Sequence, residues 1–287
     1  KVVVGKHTEV IQLFTAMLAG THVLIEDVPG TGKTTLASAL AKVTGLDFKR
    51  AQFTPDVMAS DITGFHIYNR QKEKFEFRQG LVMCNLLLAD EINRASPKTQ
   101  SALLEAMEER RVTVDGETYN LPAPFVVLAT QNPVGSAGTQ MLPSAQMDRF
   151  MIKISMGYPD FESQINILRD RHSENPLNKI SAVVTAEELQ DLIRQSETVH
   201  VGDYVYEYVT RLTQATREHP MVQLGVSPRG ALAVCRMAKA YAFLYGRDYV
   251  IPEDVREMAP WVLCHRISSA GSARAQDTEQ FLADLLA

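Results

Sequence analysis

Apolar positions along this chain follow two regimes. In the first half they bunch into short unbroken runs, Val23-Leu24-Ile25, Leu86-Leu87-Leu88-Ala89 and Phe125-Val126-Val127-Leu128-Ala129, with Met151-Ile152-Lys153-Ile154 as a last one. Unbroken runs of this length predict strands buried on both faces, as in a parallel sheet. Asp47 to Phe53 reads as a further strand. Between these runs the spacing turns helical: Val10, Leu13, Phe14, Met17 and Leu18 share a face, as do Leu103, Ala106 and Met107. Glu105, Glu108 and Glu109 point elsewhere and read as a solvated face. Thr35 to Ala41 reads as a helix, and Ser96-Pro97 caps another with proline at its first position. Two hairpins interrupt the scheme. Val112 to Tyr119 alternates about Asp115-Gly116, a strong two-residue turn signal. Phe75-Glu76-Phe77-Arg78 alternates after the turn and cap signals at Thr54-Pro55-Asp56 and Ser60 to Gly64, which predicts a broken helix carrying an inserted hairpin.

Beyond Gly157-Tyr158-Pro159 the pattern is helical, with no strand expected. Thr185-Ala186-Glu187-Glu188 is a capping box. Further helices are expected from Tyr204 to Thr216, from Ser227-Pro228 to about Tyr245, from Pro252 onward, and from Thr278 to Ala287. Trp261, Val262 and Cys264 read as core contacts. The division expected is 1–157, an α/β domain, and 158–287, a helical one.

Composition narrows the class. With 45% hydrophobic and 22% charged residues in 287, the chain reads as soluble and globular, large enough for a well-buried core. A net charge of −5 argues against a broad nucleic-acid surface. Cys84, Cys235 and Cys264 lie far apart with no C-x-x-C pair, so reduced thiols of a cytoplasmic protein are expected rather than a disulfide frame or zinc site. No apolar run reaches membrane-spanning length and no signal peptide is visible. The first residue is Lys1, so a preceding piece, and a targeting signal with it, is expected to be missing.

The chemistry concentrates at Asp27-Val28-Pro29-Gly30-Thr31-Gly32-Lys33-Thr34, between the first strand and a helix. Glycines there let backbone N–H groups cradle phosphate oxygens, Lys33 can reach the β- and γ-phosphates, and the Thr34 hydroxyl can bind Mg²⁺. Asp27 stands where the strict pattern has its first glycine. An ordinary glycine turn could share these letters, but strand and helix flank it as a phosphate loop requires. At the end of the Leu86 run, Asp90 and Glu91 would meet the crevice where parallel sheets bind ligands. Asp90 would hold the metal's water shell and Glu91 would polarise the attacking water. The alternative is an acidic pair at a helix start. Asn132, past the Phe125 strand, could sense the γ-phosphate through that water, although an isolated amide there is more often a turn residue. Arg149 sits near a helix end, where a cation suits the dipole. Arg229 sits in a first turn, where a cation opposes the dipole unless an anion is near. Val4-Gly5 could form a flat wall for a base.

In this order the elements resemble an AAA+ ATPase. Glu26 to Thr34, Leu88 to Ala95, Gln100 to Glu109 and Ala129 to Pro133 resemble the MoxR family over nearly the whole chain, and Asp27 is usual there. The resemblance implies an α/β P-loop NTPase with a parallel five-stranded sheet flanked by helices, followed by a smaller all-helical lid domain. It implies ATP and Mg²⁺, held by Val4, Gly5, Pro29, Gly30, Thr31, Gly32, Lys33, Thr34, Thr35 and Arg229, with Thr34 and Asp90 at the metal. Lys33 and Thr34 correspond to Walker A, Asp90 and Glu91 to Walker B, Asn132 to sensor 1 and Arg229 to sensor 2. Arg149 corresponds to an arginine finger inserted into a neighbour's site. The insert at Asp56–Gly80 and the hairpin at Val112–Tyr119 correspond to projections that engage partners. A homo-oligomeric, hexameric ring is implied, remodelling or maturing a client, with von Willebrand factor A-domain proteins as common partners. A metal-chelatase-like ATPase subunit and a nucleotide-gated scaffold with little hydrolysis are the alternatives. No nucleic-acid partner is expected, since Val112–Tyr119 carries Asp115 and Glu117 but no Lys or Arg.

Overall fold

The computed structural model describes residues 3–28, 30–132, 142–170 and 176–269. In chain order its elements are α1 (His7–Leu18), β1 (Val23–Glu26), α2 (Lys33–Thr44), β2 (Phe48–Gln52), α3 (Ala59–Thr63), β3 (Gly64–Asn69), β4 (Lys74–Gln79) and β5 (Leu86–Asp90). After a 3₁₀ turn at Ile92–Arg94 come α4 (Pro97–Glu109), β6 (Arg111–Val114), β7 (Glu117–Asn120), β8 (Val126–Gln131), α5 (Ser144–Met147) and β9 (Ile152–Ile154). The remainder is α6 (Phe161–Asp170), a 3₁₀ turn at Pro176–Lys179, α7 (Ala186–Glu197), α8 (Asp203–Glu218), β10 (Val222–Leu224), α9 (Pro228–Leu244), α10 (Pro252–Leu263) and β11 (Ser268–Ser269).

The fold is a parallel five-stranded sheet in the order β2-β5-β8-β1-β9. Every residue of β5 and of β8 is buried, as their unbroken apolar runs predict. The parallel register pairs Gln52 with Asp90 and Ala89 with Ala129, so the carboxyl ends of the central strands come out side by side. Ligand sites of open α/β sheets lie at such ends.

Two compact units, each built from separated segments, make up the chain: residues 1–10, 24–142 and 155–190, and residues 11–23, 143–154 and 191–287. In the first, α3 has only five residues before the β3–β4 hairpin leaves it, the broken helix with an insert that the turn signals predict. The β6–β7 hairpin turns through Asp115 at φ 49° and Gly116 at φ 86°, as an Asp-Gly turn requires. The two hairpins touch. Phe77 of β4 stacks on Tyr119 of β7 with ring centroids 3.8 Å apart and planes 7° from parallel. Between them His66 places Nδ1 2.9 Å from Asp115 Oδ2 and Nε2 2.9 Å from the Tyr119 hydroxyl. That hydroxyl donates to Glu117 at 2.5 Å, a bond that pushes the phenol pKa up to about 12.

In the second unit, α8, α9 and α10 form the helical core. Ser227 caps α9 by accepting the Gly230 N–H, with Pro228 at the first position. Arg247 grips Asp254 through paired bonds of 2.7 and 2.5 Å, and Asp254 also accepts the Ile251 N–H at the head of α10. Val262 is buried and Trp261 and Cys264 are half-buried. The expectation of an all-helical second part needs one correction: β10 and β11 pair antiparallel. Strands of three and two residues carry too little alternation to be seen in sequence, and tertiary pairing makes them. The helix expected from Thr278 to Ala287 lies outside the described residues.

Candidate active site

β1 delivers Asp27 and Val28 to the loop, and α2 starts at Lys33. Gly30 and Gly32 adopt φ values of 88° and 91°, left-handed conformations that glycine reaches without strain. A Cβ added at either would meet no atom within 4 Å, so both border open space. Open space against a helix N-terminus with turned-in glycines fits a phosphate. Pro29 lies outside the described residues. Lys33 is folded onto its own loop, donating to the carbonyls of Asp27 at 2.8 Å and Val28 at 3.2 Å. Burial lowers its pKa, and Asp27, Asp90 and Glu91 pull the other way.

Asp27, the departure from the usual glycine, has a job of its own. Its Oδ1 accepts the Val28 N–H at 2.8 Å, and its Oδ2 accepts the N–H groups of Met156 and Gly157 at 2.9 and 2.8 Å. Asp27 thereby pins the loop to the segment after β9. Asp27→Ala leaves those donors unpaired at a buried position, and a loss of about 1–3 kcal/mol is expected. Urea unfolding measures it, and an unchanged midpoint would refute the pinning role.

A cavity of about 290 Å³ joins the loop to an apolar wall. Gly30, Thr31, Gly32 and Thr35 line one side, and Val4, Met156 and Ile167 help to line the rest. Its size is near the lower end of small-molecule pockets, about 300–1,000 Å³. An apolar slot beside a phosphate cradle suits a nucleoside triphosphate. Gly5, at φ 72°, lies where a Cβ would come within 2.3 Å of Ser163 Oγ, so that turn needs glycine to pack on α6.

The acid pair sits at the carboxyl end of β5. Asp90 is buried, with Oδ1 accepting the Thr130 hydroxyl at 2.7 Å and Oδ2 accepting from Arg50 at 2.7 Å. Thr130 Oγ1 in turn accepts the Glu91 N–H at 2.9 Å. Glu91 has φ 58°, a left-handed backbone for a non-glycine residue. Such strain costs about 1–3 kcal/mol and gathers at functional sites. Asn132 Nδ2 donates to Glu91 Oε1 at 3.0 Å, and Arg94 donates to Oε2 at 2.8 Å. The Arg94 bond, with help from Asn132, holds the Glu91 pKa below the usual carboxylate range, so the group stays ionised. Among the described residues no cluster of three or more His, Cys, Asp or Glu could cage a metal. One carboxylate and one hydroxyl, Asp90 and Thr34, suit Mg²⁺, which keeps water and phosphate oxygens as its other ligands.

The first unit thus contains Val4, Gly5, Gly30 to Thr35, Asp90, Glu91 and Asn132, and the second contains Arg149 and Arg229. Arg149 is half-buried just past α5, and Arg229 is exposed at the second position of α9. Several partners in these networks carry no role in the sequence reading: Arg50, Arg94, Thr130 and Gln100. Gln100 donates to the carbonyls of Ile92 and Ala95, holding the 3₁₀ turn that follows Glu91. A polar Thr130 inside an apolar strand was the one signal available.

Residues 22–152 match the model of the ATPase family associated with various cellular activities (AAA), and residues 214–285 match the AAA lid domain. The uncharacterized protein YeaC of Bacillus subtilis is 52% identical over 267 residues, 93% of this chain and 83% of YeaC. The chaperone MoxR1 of Mycobacterium tuberculosis is 41% identical over 290 residues, 96% of this chain and 75% of MoxR1. A crystal structure of a candidate ATPase from Cytophaga hutchinsonii superposes with a TM-score of 0.91 at 41% identity, covering 99% of this chain and 90% of that one.

Proposed function

This chain belongs to the MoxR family of AAA+ ATPases, and from that we propose that it couples Mg²⁺-dependent ATP hydrolysis in a hexameric ring to chaperone-like remodelling of a partner protein. One observation carries the reading: Glu91, strained and ionised, stands beside Asp90 at the sheet's carboxyl end, in the same unit as an open phosphate cradle. The likeness to MoxR1, a chaperone, supports the remodelling role, and a von Willebrand factor A-domain protein is the partner class proposed. Residues 1–157 are proposed as the nucleotide-binding domain and 158–287 as the lid.

In the proposed mechanism the base lies in the Val4 slot, and the N–H groups of Gly30 to Thr35 hold the phosphates. Lys33 releases its two carbonyl partners to reach the β- and γ-phosphates. Mg²⁺ would be held by the Thr34 hydroxyl and, through its water shell, by Asp90, and when bound it would neutralise charge on the phosphates. Asn132 and Arg94 orient the Glu91 carboxylate toward the attacking water, and Glu91 accepts the proton that water loses. Arg149 of one subunit meets the charge that spreads over the γ-phosphoryl oxygens in its neighbour's site. Arg229 responds to the nucleotide of its own subunit.

The test is ATPase activity per subunit against protein concentration. A rise with concentration, tracking ring formation by light scattering, is the expected result. Activity that is flat with concentration would remove the shared-site reading. A further expectation concerns acid pH. Arg94 depresses the Glu91 pKa, so Arg94→Ala lets it rise toward the usual 4.5. The acidic limb of the pH–rate profile then moves to higher pH. An unmoved limb would show that Arg94 does not set the ionisation of Glu91.

A further inference from the structure

Arg266 lies just past α10, 8% exposed, with its guanidinium wrapped around the turn that carries Arg149. Nε donates to Asp148 Oδ1 at 2.7 Å. Nη2 donates to the carbonyls of Asp148 at 3.1 Å and Phe150 at 2.7 Å. Nη1 donates to the carbonyl of Met151 at 3.0 Å and to that of Val262. Three of these carbonyls, at 148, 150 and 151, straddle residue 149. Other bonds hold the same turn: the N–H of Phe150 donates to Met147 at 3.0 Å, and that of Met151 donates to His22 at 2.9 Å. Phe150 is fully buried. Ser227, the cap of the helix that carries Arg229, places its hydroxyl 3.4 Å from Asp148 Oδ2.

The ion pair alone is a weak source of stability. A buried ion pair bears a desolvation cost close to its Coulombic gain. A rigid fork of donors, however, fixes the direction of every carbonyl it binds. With the peptide groups on both sides of residue 149 fixed, the Cα–Cβ bond of Arg149 has one direction.

We infer that Arg266, together with Asp148, is the positioning residue for Arg149, acting on hydrolysis in a neighbouring subunit rather than in its own. This rests on reading Arg149 as a finger supplied in trans. A finger misplaced by an ångström forfeits about 10²-fold in rate. Arg266→Met is therefore expected to lower turnover by about that factor without weakening the binding of a fluorescent ATP analogue. Arg266→Lys keeps the charge but replaces the fork by a point donor, and an intermediate rate is expected.

Mixing decides between a positioning role and general damage. Glu91→Gln subunits have a disabled site but an intact finger. Arg266→Met subunits have an intact site and a misplaced finger. Mixed rings of the two should hydrolyse ATP faster than the sum of the separate proteins. Should Arg266→Met fail to give a cooperative unfolding curve, Asp148→Ala, at a less buried position, carries the same test. Wild-type turnover in these variants would overturn the proposal. So would a mixture that stays inactive while Arg149→Ala plus Glu91→Gln recovers, since the finger reading would stand and the positioning role would fall. A mixture of Arg149→Ala and Glu91→Gln that stays inactive would remove the finger reading itself, and the positioning role with it.

Discussion

Arg149→Ala is expected to lower ATP turnover by about 10³–10⁵-fold, the measured range for a finger guanidinium in phosphoryl transfer. That is about 4–7 kcal/mol of transition-state stabilisation. The physical basis is that charge spreads over three equatorial oxygens, and a guanidinium in a dry site meets it with no reorganisation of solvent. Binding of a fluorescent ATP analogue should survive, because the cradle and base slot belong to the first unit and Arg149 to the second. Steady-state kinetics and a binding titration on the same preparation separate the two. A variant that hydrolyses ATP at the parent rate would leave Arg149 with no role beyond the end of α5.

Glu91→Gln carries the second large effect, a fall in turnover of about 10²–10⁴-fold, the usual share of a general base. Glutamine keeps the shape and the backbone demand at φ 58°. What changes is the hydrogen-bond arithmetic. The carboxylate accepts at both oxygens, from Asn132 and from Arg94, whereas an amide has one oxygen for the two donors. Glutamine turns its oxygen to the guanidinium, and Asn132 answers by flipping its own amide. Folding stability should therefore move little while proton acceptance is lost. Unfolding curves and single-turnover rates test the pair of expectations together. A Glu91→Gln protein that hydrolyses normally would show that the attacking water needs no base at this position.

Much of the fold was legible because its signals are local. The Leu86 and Phe125 runs, the Asp115-Gly116 turn and the Ser-Pro caps at 96–97 and 227–228 each fit within a few residues. The glycine loop at 30–32 and the pair Asp90-Glu91, whose roles are proposed, stand out in the sequence for the same reason. The networks around them were not. Arg50 reaches Asp90 across forty residues of sequence, Arg266 reaches Asp148 across 118, and Asp27 reaches Met156 across 129. A charged residue in a strand or past a helix end reads as solvated until the chain closes and burial leaves it one partner. β10 and β11 escaped notice for a related reason: their paired residues lie 44 positions apart at the nearest rung, Leu224 with Ser268, and each strand has too few residues to show a period.

The stacked Phe77–Tyr119 pair sets a rule for how relatives of this chain can diverge. The β3–β4 and β6–β7 hairpins hang from different parts of the sequence, yet each covers an aromatic face of the other. A substitution on one is felt as a packing defect on the other, so the two must drift together. Grafting the β3–β4 hairpin alone into a relative would strip Phe77 of its stacking partner and His66 of both its anchors. A functional chimera has to exchange the hairpins as a matched set.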